Sequence, residues 1–452
     1  MSFDVLDKAR LRPYHWYLVI TAAIGGFSDF YNVAGVTTGS SFGILAYFNV
    51  TAAAYSAVVL YMNFGILLGA LIFGVLVDRY GRKLLFTIDL MMMGVFVALN
   101  IFATTFPVYV ALRLLVGFSV GGDYPAVIPL VTEFSPKLKR GMMIMIFWLV
   151  TAAGQLMGYI MGWALTSSLA GATEWRVMTA TGLIPIAVGI VLRIKAPESP
   201  RWLLKKGRIA DLQKVIRSVT GSTLDSSALT QEAVGQGPPT AKGRSALSLF
   251  LSKRSLGIAT LCFASLMLVA VSAGLGTYYY PFILASYNIS AANSLLYTGL
   301  LFAPGMLVML SGAFFIDKLG RMNTVFFSIL AGGFSSFLIY EFHSSIVPLI
   351  AIVVLVGSWG GLAEVPLISI GAEIFPTALR GFVSGLQTTA WRVGFIVIAL
   401  VEFALISSFG VGGLFFFVGA LQFLAAAIVL GIRHFTKIEN VSLEEASQSS
   451  VG

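Results

Sequence analysis

The sequence is poor in charge, cysteine and histidine. Asp, Glu, Lys and Arg make up only 11% of its 452 residues, whereas a soluble domain carries roughly 25%. So few charges cannot cover a water-facing surface, which excludes an ordinary soluble protein. The single cysteine, Cys262, excludes an internal disulfide and a cysteine-based metal site. The three histidines are far apart, and there is no nucleotide-binding loop or nucleophile motif, so we expect neither an enzyme nor a cofactor.

Apolar residues take the place of charge and make up 58% of the chain. A membrane-spanning helix needs about 20 mostly apolar residues. Twelve such runs begin near residues 14, 52, 84, 106, 141, 174, 255, 292, 323, 345, 381 and 411. The first run has no small-residue cleavage site, so we interpret it as a retained span and not a signal peptide. The sequence predicts an all-α membrane protein with twelve transmembrane helices.

Basic residues lie almost entirely on one side of these spans. Of the 29 lysines and arginines, 26 fall at the two termini or in loops on the same side as the termini. By the positive-inside rule, both termini and the long polar loop after the sixth span are cytoplasmic. The net charge of +9 therefore sets orientation in a lipid bilayer, and nucleic acid is not an expected partner. We expect a multi-pass protein of the cell membrane.

Two loop patterns occur once in each half of the chain. GVLVDRYGRK at 74–83 matches FFIDKLGRMN at 314–323, and EFSPKLKRG at 133–141 matches EIFPTALRG at 373–381. The matching offsets predict two parallel repeats with the substrate site between them, an arrangement that suits alternating access. We expect an N-terminal six-helix bundle at 1–196, a cytoplasmic loop at 197–254, a C-terminal six-helix bundle at 255–436 and a cytoplasmic tail at 437–452. The loop contains a short amphipathic pattern around 211–217.

The repeated loops also predict a cytoplasmic gate, because acidic and basic residues recur together in them. We expect these residues to form ion pairs whose loss would shift the conformational equilibrium without changing substrate choice. The gate residues are Asp78, Arg82, Glu133, Arg140, Asp317, Arg321, Glu373 and Arg380.

The loop motifs DRYGRK and DKLGRMN, the paired E…P…RG loops and the twelve spans resemble the major facilitator superfamily over essentially the whole chain. PESPRWLLKKGR after the sixth span resembles the branch of sugar porters, organic-ion transporters, and phosphate and aromatic-acid proton symporters. GGDYP in the fourth span is most similar to the phosphate symporters. The seventh span lacks the paired glutamines of sugar porters and the acidic residue of phosphate symporters. The resemblance implies a pseudo-symmetric secondary transporter, which we expect to work as a monomer.

Ionisable residues inside the spans are candidates for proton coupling, because inserting each costs at least about 2.5–3.5 kcal/mol. Asp29 lies near the midplane of the first span, Asp123 follows two glycines in the fourth, and Glu364 lies near a proline in the tenth. Arg113, in the outer part of the fourth span, can hold a carboxylate ionised and release it when the gate moves. We assign proton coupling to Asp29, Asp123, Arg113 and Glu364. The alternative for Asp29 is a static salt bridge with Arg113.

Arg392 lies near mid-bilayer in the eleventh span, too deep to reach the surface. Its guanidinium needs an anion, which is either Glu364 or a carboxylate or phosphate of the substrate. We expect the substrate site to contain Arg392, Asn32, Tyr31, Tyr124, Trp391, Trp359 and Tyr279, and Trp148, Tyr159 and Tyr278 are further candidates for the cavity wall. Asp89 is expected in the cytoplasmic gate, Glu402 in solvent near the outer end of its span, and Arg176 at the outer interface.

The sequence favours proton-coupled uptake of a small anionic solute, such as an organic acid or phosphate. A proton-coupled sugar or polyol symporter is the alternative that PESPRWLL indicates. Proton-antiport efflux of amphipathic compounds is a third possibility, which the aromatic content permits. A receptor that does not transport is disfavoured, because both halves keep the latch motifs.

Overall fold

The computed structural model describes residues 11–136, 139–169, 172–221, 253–355, 362–363, 367 and 377–436. This part of the chain is helical, and no strand occurs in it. A π-helical segment, Tyr31–Val36, joins α1 to α2. The first half comprises α1 (Pro13–Phe30), α2 (Thr37–Gly39), α3 (Ser41–Phe48), α4 (Ala52–Tyr80), α5 (Arg82–Ile101), α6 (Phe106–Phe134), α7 (Arg140–Ser168), α8 (Ala172–Thr181) and α9 (Leu183–Ile194).

The chain then continues through two short helices and a second set of long ones. The short helices are α10 (Pro200–Lys205) and α11 (Ile209–Thr220). The second half comprises α12 (Lys253–Tyr278), α13 (Tyr280–Ser286), α14 (Ala291–Leu319), α15 (Arg321–Phe342), α16 (Ile346–Leu355) and α17 (Thr377–Thr436). The amphipathic pattern around 211–217 is α11, whose apolar residues Leu212, Ile216 and Val219 are buried.

Ten helices within the described ranges are long and apolar enough to cross a membrane. The last of them, Gly385–Ile432, contains two predicted spans, because Gly410 adopts φ 69° and ψ −177° and breaks the helix there. The predicted tenth span is described only over α16. The prediction of an all-α membrane protein is confirmed, and each span whose start is described begins within a few residues of the predicted position.

The internal repeat has a backbone counterpart. Gly81 ends α4 with φ 103°, and its equivalent Gly320 ends α14 with φ 82°. Residues with a side chain rarely adopt these angles, so glycine is required where each helix turns back into the next. The DRYGRK and DKLGRMN patterns therefore encode the same tight helix-to-helix turn twice.

Two glycines of the fourth span allow close contact between α4 and α6. A Cβ atom built on Gly117 would overlap the carbonyl oxygen of Met62, and one on Gly121 would overlap that of Ile66. Direct backbone contact of this kind is how small residues bring transmembrane helices together. The fourth span is therefore fixed tightly against the second span.

The two halves meet at the membrane face opposite the termini. The backbone carbonyl of Thr277, at the end of α12, accepts hydrogen bonds from Thr38 Oγ1 (3.1 Å) and Tyr159 Oη (2.7 Å) of the first half. Beside it, the ring of Phe282 packs against those of Phe42 and Tyr55, with centroids 5.4 and 5.1 Å apart. We call this group of contacts the seal. It closes the interface between the halves on the opposite face.

Candidate functional site

A cavity of about 260 Å³ lies between the two halves, and both contribute to its wall. Tyr124 and Trp148 form a stacked pair on the side of the first half, with ring centroids 6.4 Å apart. Amide and hydroxyl groups are distributed around the wall, including those of Gln155, Ser335, Ser336 and Gln422. The cavity therefore offers hydrogen-bonding groups and flat aromatic surfaces, which suit a small polar ligand.

Arg392 of α17 is the only charged residue among the described residues of the wall. It is buried, and its Nη1 donates a 3.4 Å hydrogen bond to Asn63 Oδ1 of the first half. Its guanidinium carbon lies 5.7 Å from the ring centroid of Tyr124, and its Nε has no hydrogen-bond partner among the described residues. The predicted partner Glu364 lies outside the described residues.

Some of the aromatic residues predicted for the cavity do line it, and others do not. Tyr124, Trp391, Trp148 and Tyr278 are in the wall, whereas Trp359 lies outside the described residues. Tyr159 forms part of the seal.

Three predicted substrate residues are absent from the described wall, because they are engaged elsewhere. The Asn32 amide donates to the carbonyls of Ser28 (2.9 Å) and Gly182 (3.2 Å). The Tyr31 hydroxyl lies 2.8 Å from Thr181 Oγ1, and Tyr279 is fully buried against the ring of Phe403. Asn32 and Tyr31 instead tie the π-helical segment to the sixth span.

The first half contains a buried cluster of one arginine and three carboxyl groups, which we call the acid cluster. Arg193 of α9 is fully buried and forms ion pairs with Asp89 Oδ1 (2.9 Å) and Asp123 Oδ1 (2.7 Å). It also donates to the carbonyl oxygen of Phe86 and lies over the Phe86 ring. The third carboxyl group is that of Asp29, which interacts electrostatically with all three charged members.

The acid cluster has one positive charge for three acidic groups. Asp29, Asp89 and Asp123 are each 2% exposed, and Asp29 Oδ2 has no hydrogen-bond partner in the part of the chain that the structure describes. Three ionised carboxylates with a single guanidinium would leave excess negative charge in a low-dielectric interior, at a high energetic cost. A bound proton removes part of that excess. The arrangement is therefore chemically suited to taking up and releasing a proton.

Arg113 is not part of the acid cluster, which corrects its predicted pairing with Asp29 or Asp123. It is fully buried, and its Nε donates to Tyr109 Oη at 2.9 Å. Its Nη1 donates to the Asn32 carbonyl (3.3 Å) and to Thr37 Oγ1 (3.4 Å). The wide turns of the π-helical segment present these acceptors toward α6, so Arg113 holds that segment in place and Arg193 is the partner of the carboxylates.

The described part of the predicted gate is one ion pair near the termini face. Arg82 Nη1 lies 2.6 Å from Glu133 Oε1, and Ser199 Oγ donates to Glu133 Oε2 at 2.5 Å. Glu198 of the PESPR motif accepts hydrogen bonds from the backbone amides of Arg82 (2.9 Å) and Lys83 (3.1 Å). The side chains of Asp78, Arg140, Asp317, Arg321 and Arg380, and the whole of Glu373, lie outside the described residues.

The structure corrects the expected positions of Asp89, which was predicted in the cytoplasmic gate, and of Glu402, which was predicted in solvent. Asp89 belongs to the acid cluster and not to the gate. Glu402 is not solvated: its side chain is fully buried, with no hydrogen-bond partner for either carboxylate oxygen in the described part of the chain. Arg176 is half-buried and donates to the Ile101 carbonyl (3.1 Å) and Tyr47 Oη (3.0 Å).

Sequence reasoning missed Arg193 and the cavity glutamines. Arg193 was grouped with the basic loop residues, although the apolar run continues one residue beyond it, to Ile194. The apolar residues on both sides of Arg193 could have indicated that it lies inside the span, because an arginine in a polar loop needs no apolar neighbours. Gln155 and Gln422 each stand as isolated amides inside an apolar span, a pattern that indicates a polar contact within the bundle.

Comparison with known proteins identifies the family. A model of the Sugar (and other) transporter family matches residues 18–449. The inner membrane metabolite transport protein YgcS of Escherichia coli is 34% identical over 157 residues, which span 35% of this chain and 35% of YgcS. The D-xylose transporter of Levilactobacillus brevis is 26% identical over 95% of this chain and 94% of its own.

A solved structure with the same fold is that of the proton:xylose symporter XylE, from E. coli, bound to 6-bromo-6-deoxy-D-glucose. It superimposes with a TM-score of 0.77 at 20% identity, over 96% of this chain and 99% of that chain. Identity at this level supports the fold alone. Together with the family match, it shows that the chain belongs to the Sugar (and other) transporter family and is a multi-pass secondary transporter with the major facilitator fold, not an enzyme.

Proposed function

We propose that this protein is a proton-coupled symporter that takes up a small polar solute of the sugar or polyol class. Support for the substrate class comes from relatives named as xylose transporters and from the amide, hydroxyl and aromatic groups of the cavity wall. A sugar presents hydroxyl groups at its edge and C–H groups on its faces. These match the glutamines and serines of the wall and its aromatic rings, respectively.

The main support for the proposed proton coupling is the position of the acid cluster beside the cavity. Asp29 and Asp123 each immediately precede a residue of the cavity wall, Phe30 and Tyr124. A change of charge on either carboxyl group is therefore one residue away from the substrate. In this proposal Asp29 and Asp123 bind the coupled proton, Arg193 compensates their charge and Arg113 positions the π-helical segment. Glu364 stays a predicted second site.

Arg392 supports a second candidate function, the uptake of an anionic solute, which the sequence favoured. Its guanidinium lies in the cavity wall and keeps an unpartnered Nε. A carboxylate or phosphate of the substrate would form a charge-assisted hydrogen bond with it. The relatives named above give this candidate no support, so it ranks below the sugar or polyol.

The proposed coupling can be tested in proteoliposomes that contain a pH-sensitive dye. Addition of D-xylose or a polyol should acidify the lumen, and Asp29→Asn should abolish acidification while leaving substrate exchange between the two sides intact. Glu174→Gln is the matched control, because Glu174 is another buried acid of the first half that lies outside the acid cluster. If the Asp29→Asn variant acidified the lumen as strongly as the parent protein, Asp29 would not be the site that binds the coupled proton.

The substrate class can be decided with pairs of compounds that share a carbon skeleton, such as glucose and gluconate. For a sugar transporter, glucose should compete with uptake at least as well as gluconate, and Arg392→Gln should leave that order unchanged. Selective competition by gluconate or phosphate, lost in Arg392→Gln and retained in Arg392→Lys, would establish the anionic candidate instead.

The proposal places the protein in the cell membrane as a monomer with both termini in the cytoplasm. The distribution of lysine and arginine supports this orientation. Arg193 is buried and is not counted as a loop residue, but nearly all the other basic residues lie on the same side of the spans as the two termini. An epitope at the C-terminus should resist protease in intact cells and be cleaved after permeabilisation. Cleavage in intact cells would reverse the orientation.

A further inference from the structure

Glu402 is a buried acid in the second half that the transport proposal does not use. It lies on α17, eight residues before the break at Gly410, and its side chain is 0% exposed. Neither Oε1 nor Oε2 has a hydrogen-bond partner in the described residues. A buried carboxylate without a partner loses its hydration and gains no hydrogen bond or ion pair that would compensate for the loss. The geometry around Glu402 therefore fits the neutral carboxylic acid.

The surroundings of Glu402 contain no compensating positive charge in the part of the chain that the structure describes. One titratable group that interacts with Glu402 is the hydroxyl of Tyr279, which has no hydrogen-bond partner among the described residues. The charged residues of α12 and α4, which are Lys253, Arg254, Asp78 and Arg79, lie at the far ends of those helices. The titratable groups near the seal on α12, α13 and α4 are also tyrosines, Tyr278, Tyr280 and Tyr55. None of these can neutralise a carboxylate.

More distant charged residues do not compensate Glu402 either. Arg392 stands ten residues earlier on the same helix, about 15 Å away by helical rise. Glu341 and His343, at the end of α15, are exposed to solvent. A proton is therefore the means by which Glu402 is accommodated in the closed interior.

The seal contacts the residue that follows Glu402 in the chain. Phe282 packs against Phe42 and Tyr55 of the first half, and it also packs against Phe403, with ring centroids 6.1 Å apart. Phe403 immediately follows Glu402 in the chain. Because the seal is this close to Glu402, we expect parting of the halves there to admit water to the carboxyl group.

We propose that Glu402 is a second proton-binding site, loaded from the opposite face, whose protonation permits the two halves to close there. When the seal opens, water solvates the carboxyl group and it can ionise; when it closes, the group has to carry a proton. The role in transport rests on the proposed proton coupling, but this site lies in the other half from Asp29 and acts on closure and not on the cavity wall.

Spin labels can measure closure on the opposite face directly. Ala46→Cys on α3 and Asn293→Cys on α14 place labels at exposed helical positions of the two halves, on that face. Cys262 is the only native cysteine, so Cys262→Ser gives a background without other thiols. The distance between the labels, measured by pulsed electron paramagnetic resonance in nanodiscs without substrate, reports opening at each pH.

If one proton controls closure, the ratio of open to closed protein should rise about tenfold per pH unit over the range in which that proton is released. Glu402→Gln, which mimics the neutral acid, should stay closed at every pH, and Glu402→Asp should keep a pH dependence. Glu174→Gln is the control for a buried acid near the same face but within one half, and it should behave like the parent. Asp29→Asn should also keep the dependence.

Two results would overturn the proposal: a parent protein whose distances do not respond to pH, or a Glu402→Gln variant that responds as the parent does. Loss of the response in Asp29→Asn together with its persistence in Glu402→Gln would assign it to the acid cluster. The measurement uses neither substrate nor a proton gradient. Its outcome is therefore separate from that of the dye experiment, which tests symport itself.

Discussion

At the scale of single residues, the feature that matters most is Arg193. Its guanidinium lies between two aspartates and beside a third, in a space that exists because position 25 is a glycine. A Cβ atom built on Gly25 would overlap Arg193 Nη2. One arginine thereby sets the charge balance of every carboxyl group in the acid cluster, although it contacts no part of the cavity wall in the described residues. It acts on the proton site by positioning Asp89 and Asp123.

Arg193→Gln should abolish proton-coupled uptake, because it leaves three buried acids without a cation. Removing one partner of a buried pair costs about 3–5 kcal/mol of folding stability, so Arg193→Lys is the more informative change. The lysine keeps the charge but cannot hold two carboxylates in the same fork-like geometry. We expect Arg193→Lys to fold and to shift the pH profile of uptake.

Arg176→Lys is the matched control for that experiment, since its guanidinium binds a backbone carbonyl and a tyrosine hydroxyl and no described carboxylate. Its pH profile should equal that of the parent. An unchanged profile in Arg193→Lys would mean that Arg193 has a structural role only.

The acids of the cluster were easier to predict than its cation. Asp29 and Asp123 stand far inside apolar runs, where a charge is conspicuous. Arg193 stands one residue from the end of a span, where arginine is common because it reaches the surface. Sequence distance alone cannot distinguish an arginine that extends outward from one whose side chain turns inward to acids on other helices. That choice is made by packing in three dimensions.

At the scale of helices, the chief role of the repeated loop motifs is to form a tight turn between two consecutive helices. Gly81 and Gly320 each terminate a 29-residue helix and allow the next to begin one residue later. Glu198 then caps the start of α5 by accepting from the amides of Arg82 and Lys83. The motif thus fixes the angle between two helices before any ion pair forms.

Gly81→Ala should destabilise the protein by about 1–3 kcal/mol, because alanine is strained at φ 103° and ψ 158°. Thermal unfolding in detergent should show a lower midpoint. Gly74→Ala, within α4, is the control, since a Cβ atom there would meet nothing within 4 Å, and it should leave the midpoint unchanged or raise it. Equal midpoints for the two variants would argue against backbone strain at Gly81.

At the scale of the whole molecule, few polar contacts join the halves within the described residues, and two of them belong to the seal. Tyr159→Phe removes one of the two donors to the Thr277 carbonyl. A hydrogen bond contributes about 0.5–1.5 kcal/mol, so the ratio of closed to open protein should fall about 2- to 10-fold. The spin-label distance between the halves measures that ratio.

Tyr17→Phe is the control for the seal, because the Tyr17 hydroxyl also donates a 2.7 Å hydrogen bond to a backbone carbonyl, that of Leu192, but within the first half. It should lower stability similarly without changing the distance between the halves. A distance change in Tyr17→Phe equal to that in Tyr159→Phe would mean that the effect is not specific to the seal.

The architecture could be predicted because twelve apolar runs and a two-fold repeat constrain it strongly. The closed face could not be predicted, since the two conformations of a transporter use the same spans and differ by a few kcal/mol. The cavity wall was predicted in part. Tyr124, Trp391 and Arg392 were assigned from their depth, whereas Tyr31 and Asn32, at similar depth, face other helices. Depth along a span is visible in the sequence, but the direction that a side chain faces is not.

The hydrogen bonding of the seal depends on a proline that is not itself one of the seal residues. Pro281 lies four residues after Thr277, where a helix would normally supply the N–H that bonds the Thr277 carbonyl, and proline has none. When the halves separate, that carbonyl loses both donors and its own helix cannot replace them. Water is the donor that can take their place, so the space that opens between the halves on this face, the vestibule, should become wet as it opens. Dehydrating osmolytes that cannot enter the vestibule should therefore favour the sealed form. Opening of this face would then involve uptake of water as well as movement of the two halves.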